Sequence, residues 1–180
     1  MKTWRCLSSK SLIKDEWLSL RADTCQLPNG QIIEPYYVLE HPECVHVFAQ
    51  NEQGHVLVVR QYRYATNTVC VELPGGLVDE GEAVVNAAKR ELLEETGYVA
   101  TQWIHAGKSY ANPARQTNWV HVYIATGLKA TALQQLDNTE DIMFEFLPIS
   151  DIKKLIVNGS FSQALHIASF YMSLEQLAKA

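Results

Sequence analysis

Residues Gly76 to Tyr98 read GLVDEGEAVVNAAKRELLEETGY, which gathers six acidic side chains and an arginine in one turn-and-helix unit. Ahead of it, Pro74-Gly75-Gly76 reads as a tight loop, because proline fixes its φ and glycine takes positive φ without steric cost. A helix is expected from Ala83 to Thr96, closed by Gly97 as a left-handed residue just past its end. On that helix Glu91, Glu94 and Glu95 fall at i, i+3 and i+4 and share a face. Like charges at these spacings repel, so something must offset the repulsion. A divalent cation does so most simply. Carboxylate oxygens suit Mg²⁺ or Mn²⁺, and a hard ion on such a face works on phosphate oxygens.

Working outward, the 180 residues suffice for one domain with a substantial core. The apolar (47%) and charged (19%) fractions are those of a soluble globular protein. A formal charge of −5 argues against a surface that coats a nucleic acid polymer, although a local cation still admits a small nucleotide. Cys6, Cys25, Cys44 and Cys70 are widely spaced, which favours idle thiols over a disulfide framework or zinc cluster. Lys10, Lys14, Asp15 and Glu16 interrupt the early apolar runs, so neither a signal peptide nor a membrane span is expected. The expected location is the cytoplasm.

The first forty residues read as short antiparallel strands, with one over Trp17–Ala22, a turn at Leu27-Pro28-Asn29-Gly30 and a return over Gln31–Leu39. Cys44–Ala49 and His55–Gln61 are expected to form a second hairpin around Asn51-Glu52-Gln53-Gly54. Val56-Leu57-Val58-Val59 is apolar throughout, as in a strand covered on both faces. Further strands are expected at Trp103–Tyr110, Trp119–Thr126 and Ile142–Pro148, with helices at Ile149–Val157 and Ser160–Leu177. Strands, a helix, more strands and then helices indicate an α/β fold whose mixed sheet lies between helices. Arg60-Gln61-Tyr62-Arg63 ends the apolar strand, and its two arginines suit a diphosphate because the guanidinium fork matches phosphate geometry. His41, His46, His55, His105, His121 and His166 show no ligand spacing and read as core or surface.

The glycine, the arginine and the glutamates of the opening stretch resemble the signature of the Nudix hydrolases. Gly76, Glu82, Arg90, Glu91, Leu92, Glu94, Glu95 and Gly97 stand at its spacing, with Tyr98 in place of an aliphatic residue. The resemblance implies an α/β/α sandwich with a mixed sheet and an N-terminal antiparallel strand extension. The expected organisation is one domain over 1–180, with the extension at 1–42 and the catalytic core at 43–180. It implies that Glu91 and Glu95 hold the metal, with Glu94, Glu140 and the Gly75 carbonyl as further ligands. Arg90 is expected to tie the carboxylates together and hold the loop against the helix. Glu82 sits near the helix N-terminus, where negative charge is favoured, and is expected to shape the same loop. Hydrolysis needs an activated water, which the cation supplies. Relatives often carry a second Glu two residues before Glu140, where this chain has Asn138. The base role then falls to Glu140 alone, to Asp137 or Glu95, or to a different placement of the water.

The branch that cleaves ADP-ribose is resembled at several further points. They include a Q-x-R segment whose arginine is Arg63, Glu72 as its orienting carboxylate, and Pro113 about fifteen residues past the signature. Arg60 and Arg115 complete the candidate substrate contacts, Arg115 within Asn-Pro-Ala-Arg where relatives carry Ser-Pro-Gly. Trp17, Tyr36 and Tyr37 are candidates for stacking on a base. The resemblance implies a homodimer that takes a small nucleotide, with AMP and ribose 5-phosphate as products. Other readings are GDP-mannose, a dinucleotide or a coenzyme diphosphate as substrate, or a domain that senses nucleotide without cleaving it.

Overall fold

The turn at Leu27–Gly30 closes by main-chain bonds, with the Gly30 N–H donating to the Leu27 carbonyl at 2.9 Å and the Leu27 N–H to that of Gln31 at 2.8 Å. In this computed structural model, which describes residues 2–131, 133–136 and 138–179, the chain divides into two units. The first unit is Met1–Glu43 with Tyr110–Trp119. It holds the antiparallel meander β1 (Arg5–Lys14), β2 (Ser19–Gln26) and β3 (Ile32–Glu40), in the order β1-β2-β3. The strand expected from Trp17 starts at Ser19 instead. Asp15 explains the delay, since its carboxylate accepts the Trp17 and Leu18 N–H groups at 2.8 and 2.7 Å and takes both out of the ladder. Asp23 is buried beneath the meander, and Ser9 (2.6 Å) and Arg21 (3.0 Å) satisfy it. The returning segment docks beside β3, with the Leu39 N–H donating to the Arg115 carbonyl at 2.7 Å and the Tyr36 hydroxyl to that of Ala114 at 2.6 Å.

The second unit is Cys44–Ser109 with Val120–Ala180. Its strands are β4 (Cys44–Ala49), β5 (His55–Arg63), β6 (Thr68–Glu72), β7 (Gly75–Leu77), β8 (Tyr98–Tyr110), β9 (Trp119–Ala130) and β10 (Ile142–Pro148). Its helices are α1 (Val84–Thr96), α2 (Ile149–Val157) and α3 (Ala164–Leu177). One sheet runs β7-β4-β9-β8 and the other β10-β5-β6. The first is mixed, since β4 pairs parallel with β9 and antiparallel with β7.

Three further expectations need correcting. Asn51–Gly54 does turn tightly, the Asn51 side chain accepting the Gln53 and His55 N–H groups, but its flanks are not a hairpin. They share one bridge, Gln50–Val56, and then part into the two sheets, because β4 takes β9 as neighbour and β5 takes β10 and β6. The expected loop at Pro74–Gly76 is largely strand. Gly75 and Gly76 lie in β7, where a side chain on Gly75 would overlap the Val45 carbonyl, so glycine serves close approach here rather than turning. The last helix also begins at Ala164 and not Ser160, where Gln163 accepts the Leu165 and His166 N–H groups at 2.6 and 3.1 Å.

Strand alternation sends β4 and β5 into two cores. Val45, Val47, Ala49, Leu57 and Val59 pack with Ala87, Ala88 and Leu92 of α1. Phe48, Val56 and Val58 pack with Ile152 of α2 and Phe170 of α3. Helices therefore cover both sides, giving the α/β/α layering. Among the described residues, no helix is long and apolar enough to cross a membrane.

Candidate active site

α1 buries Ala87, Ala88 and Leu92, which turns its charged residues towards β7 and the segment before β10. Gly97 ends the helix at φ 72°, its N–H bonded to the Leu93 carbonyl at 2.7 Å. Glu95 is buried, and one of its oxygens accepts the Gly75 N–H at 2.9 Å. Gly76 lies so close to Glu91 that a Cβ there would overlap the Glu91 carboxylate. The two glycines of β7 thus each seat one glutamate of the helix.

Arg90 binds loop to helix. It donates to both Glu82 oxygens (3.2 and 3.0 Å), to Glu91 at 2.9 Å, to Glu94 at 3.1 Å and to the Leu77 carbonyl at 2.9 Å. Its proton affinity rises accordingly, with Glu82 as the main cause, and that of Glu82 falls. Glu94 is more exposed than Glu91 and faces this guanidinium.

Burial pushes the Glu91 carboxyl up to about 7; Arg90 opposes the shift, and the charges of Glu94 and Glu140 add to it. Burial raises Glu95 well above the usual carboxylate range as well. The Gly75 N–H and Arg63 oppose that rise, and Glu91 and Glu140 reinforce it. Glu95 thus feels the charges of Glu91, Glu140 and Arg63, and Glu91 feels that of Glu140. The Glu140 segment is fastened to α1 by Gln134, whose amide donates to the Glu95 carbonyl at 2.6 Å and the Ile142 carbonyl at 3.0 Å. Asp137, a candidate base, lies outside the described residues.

Arg63 closes β5 and is held by Glu72, Nη2 donating to one oxygen at 2.6 Å and Nε to the other at 3.4 Å. Arg60 does not join it. Residues three apart on a strand point to opposite faces, and Arg60 pairs instead with Glu145 of β10 at 2.6 Å. Pro113 and Arg115 belong to the first unit, where Arg115 lines an apolar cavity of about 340 Å³ with Leu20, Tyr37 and Leu39. In that unit Trp17 is 85% exposed, while Tyr36 meets Trp4 edge to face at 5.9 Å. Sequence reasoning passed over Gln134, while His46 and His166, read as core or surface, are both buried.

The donor set is all oxygen, and its crowded negative charge is only partly met by Arg63 and Arg90, which fits a hard divalent cation. Among the described residues, no three acidic, histidine or cysteine groups converge as placed for an ion. Glu91 and Glu94 turn to Arg90, and Glu95 to the Gly75 N–H.

A helix that carries a buried carboxylate beside a half-buried one, the buried one within the charge of a clamped arginine at a sheet end, forms a constellation suited to phosphoanhydride chemistry. The chain matches the NUDIX domain family over residues 40–165 and belongs to that family of hydrolases. Residues 4–39 match the nucleoside diphosphate sugar hydrolase N-terminal domain. The chain is 30% identical to an ADP-ribose pyrophosphatase of Bacillus subtilis, over 98% of each protein. To an ADP-ribose pyrophosphatase of Mycobacterium tuberculosis it is 31% identical, over 90% of this chain and 79% of that one. Its fold is similar to the crystal structure of an ADP compounds hydrolase, with a TM-score of 0.88 and 21% identity over 99% of this chain and 96% of the other.

Proposed function

We propose that this protein is a Mg²⁺- or Mn²⁺-dependent pyrophosphatase that hydrolyses nucleoside diphosphate sugars, ADP-ribose first, to AMP and ribose 5-phosphate. The observation that carries this reading is the half-buried Glu91 beside the buried Glu95, both of which feel the charge of Glu140, and Glu95 that of Arg63 as well. The names of these two relatives support ADP-ribose as substrate. Glu91 and Glu95 would hold the cation, with Glu94, Glu140 and the Gly75 carbonyl as further oxygen ligands. When bound, the cation supplies Lewis acidity and a nucleophile at neutral pH.

The chain's own residues do the rest. Arg63 grips the diphosphate and neutralises charge as it develops on the leaving phosphate. Glu72 presets the angle of that guanidinium, so less orientational freedom is lost when substrate binds. Either Glu140 or Glu95 accepts the proton of the attacking water. Arg90 keeps the β7 segment against α1 and does not face substrate. The reading includes a cytoplasmic location and a homodimer. The dimer is supported by the apolar side chains that the first unit exposes, among them Trp4, Leu7, Leu12 and Ile32.

The test is phosphate release from a panel of nucleotide sugars with Mg²⁺, coupled to a phosphatase that acts only on newly exposed monoesters. ADP-ribose should head the panel, and Glu95→Gln should abolish release. Turnover by Glu95→Gln within about threefold of the parent would sink the mechanism, because a lost cation ligand costs several kcal/mol. Release from GDP-mannose, a dinucleotide or a coenzyme diphosphate instead would move only the substrate. Tight nucleotide binding with no release would make the protein a sensor.

A further inference from the structure

Three polar residues of α3, His166, Ser169 and Ser173, fall at i, i+3 and i+7 on one stripe and are buried. Core stripes are normally apolar, and an unsatisfied polar group there is costly. Each of these is satisfied. Ser169 meets His46 Nδ1 of β4 at 2.9 Å, and the Ser173 hydroxyl donates to the Ser169 carbonyl at 2.9 Å. His166 Nδ1 accepts the Leu73 N–H at 3.1 Å. The His46 ring stacks on that of His166 with centroids 3.7 Å apart and planes 14° apart, which restrains both.

The bond from Leu73 fixes the tautomer. A ring nitrogen that accepts a main-chain N–H carries no hydrogen, so the proton of the neutral ring sits on Nε2. Burial, and then the charge of Arg63, push His166 down to about 3, which keeps the ring neutral. Nε2 stands 3.7 Å from Glu72 Oε2, the oxygen that receives Arg63 Nη2 at 2.6 Å. At that separation the N–H acts as an oriented dipole and not as a full hydrogen bond. Glu72 is 2% exposed, so its charge needs compensation on both sides. Arg63 meets it from the solvent side and His166 from the core. One imidazole therefore touches Leu73 and Glu72 together, at the strand end that leads into Pro74 and Gly75.

We propose that His166 is a positioning residue for the phosphate-binding arginine: its Nε2–H holds the Glu72 carboxylate where that group clamps Arg63. The proposal rests on the pyrophosphatase reading for the role of Arg63, but not for the geometry. It predicts that His166 acts on diphosphate affinity and acts through Arg63.

His166→Asn keeps an acceptor for the Leu73 N–H and removes the donor facing Glu72, whereas His166→Gln places an amide N–H towards that carboxylate. Each is made alone and with Arg63→Ala. KM and kcat are read on ADP-ribose with Mg²⁺, Kd for ADP-ribose and for inorganic pyrophosphate by calorimetry without metal, and folding by thermal melting. His166→Asn should raise KM and Kd about fivefold, below the roughly tenfold that a full hydrogen bond to a charged group is worth, with kcat within about twofold. The effect should vanish beside Arg63→Ala, and His166→Gln should recover most of the affinity. Unchanged Kd in folded His166→Asn, or an equal loss with and without Arg63, would overturn the proposal. If His166→Asn does not fold, His166→Gln decides by the same cycle, since an equal loss in both backgrounds again refutes it. A parent protein that binds pyrophosphate but cleaves nothing would refute the pyrophosphatase reading and leave the Kd cycle to judge His166.

Discussion

Glu91 is a carboxyl whose ordinary value is 4.5 and which burial carries to about 7 in the folded protein. A group that binds its proton more tightly when folded stabilises the fold below its unfolded value, and that contribution is lost as pH rises through the folded one. Metal-free protein should therefore melt at progressively lower temperature as pH climbs from about 4.5 to about 7, with Glu95 acting in the same direction. A cation needs the deprotonated carboxylates, so Mg²⁺ should raise the melting temperature more at about pH 8 than at about pH 6. Melting curves in chelator and in Mg²⁺ check both trends, and a metal-free profile that stays flat across this range would contradict the burial of Glu91. The residues behind this behaviour were legible in the sequence because helix spacing alone puts Glu91, Glu94 and Glu95 together. His46 and His166 were not. Their partners stand 123 and 93 residues away, Ser169 on α3 and Leu73 just past β6, and no local spacing rule reaches that far. The expected pairing of Arg60 with Arg63 overlooked the two-residue period of a strand.

At the level of elements, the signature helix, β10 and α2 were readable to the residue or nearly so, because Gly97 closes the helix and a change of period marks the other ends. β7 was not, since three residues with two glycines look like a turn unless the neighbouring strand is known. The split of β4 from β5 is likewise a matter of which partner each edge takes, which tertiary packing decides. Among its described residues the segment between β9 and β10 has little regular structure, and main-chain and amide bonds attach it to α1. Gln134 bridges the end of α1 to the start of β10, and the Gln135 N–H donates to the Glu94 carbonyl at 2.9 Å. Gln134→Ala should cost about 1–2 kcal/mol of stability, the worth of its two bonds. It should also raise the Mg²⁺ concentration needed for half-maximal turnover, because Glu140 loses its anchor. Titrating Mg²⁺ at saturating substrate checks this, and an unchanged midpoint would show that the segment holds its place without Gln134.

On the scale of the whole molecule, the first unit leaves all ten residues of β1 exposed, and Leu7, Leu12 and Ile13 among them are large and apolar. Surface of that kind marks an association face, and a second copy is the partner proposed here. Sedimentation should therefore give twice the chain mass, and Leu7→Asp with Leu12→Asp should return the single-chain value with the second unit still folded. A parent protein that sediments as a single chain at working concentration would remove the dimer from the proposal. The same unit is discontinuous in the chain, for Tyr36 waits on Ala114, 78 residues later, before its hydroxyl finds a carbonyl. At a synthesis rate of about 5–20 residues per second, roughly 4–16 s separate the two on the ribosome. Throughout that interval the nascent meander stands unfinished, so the pace of translation and the chaperones at the exit tunnel bear on the yield of native protein.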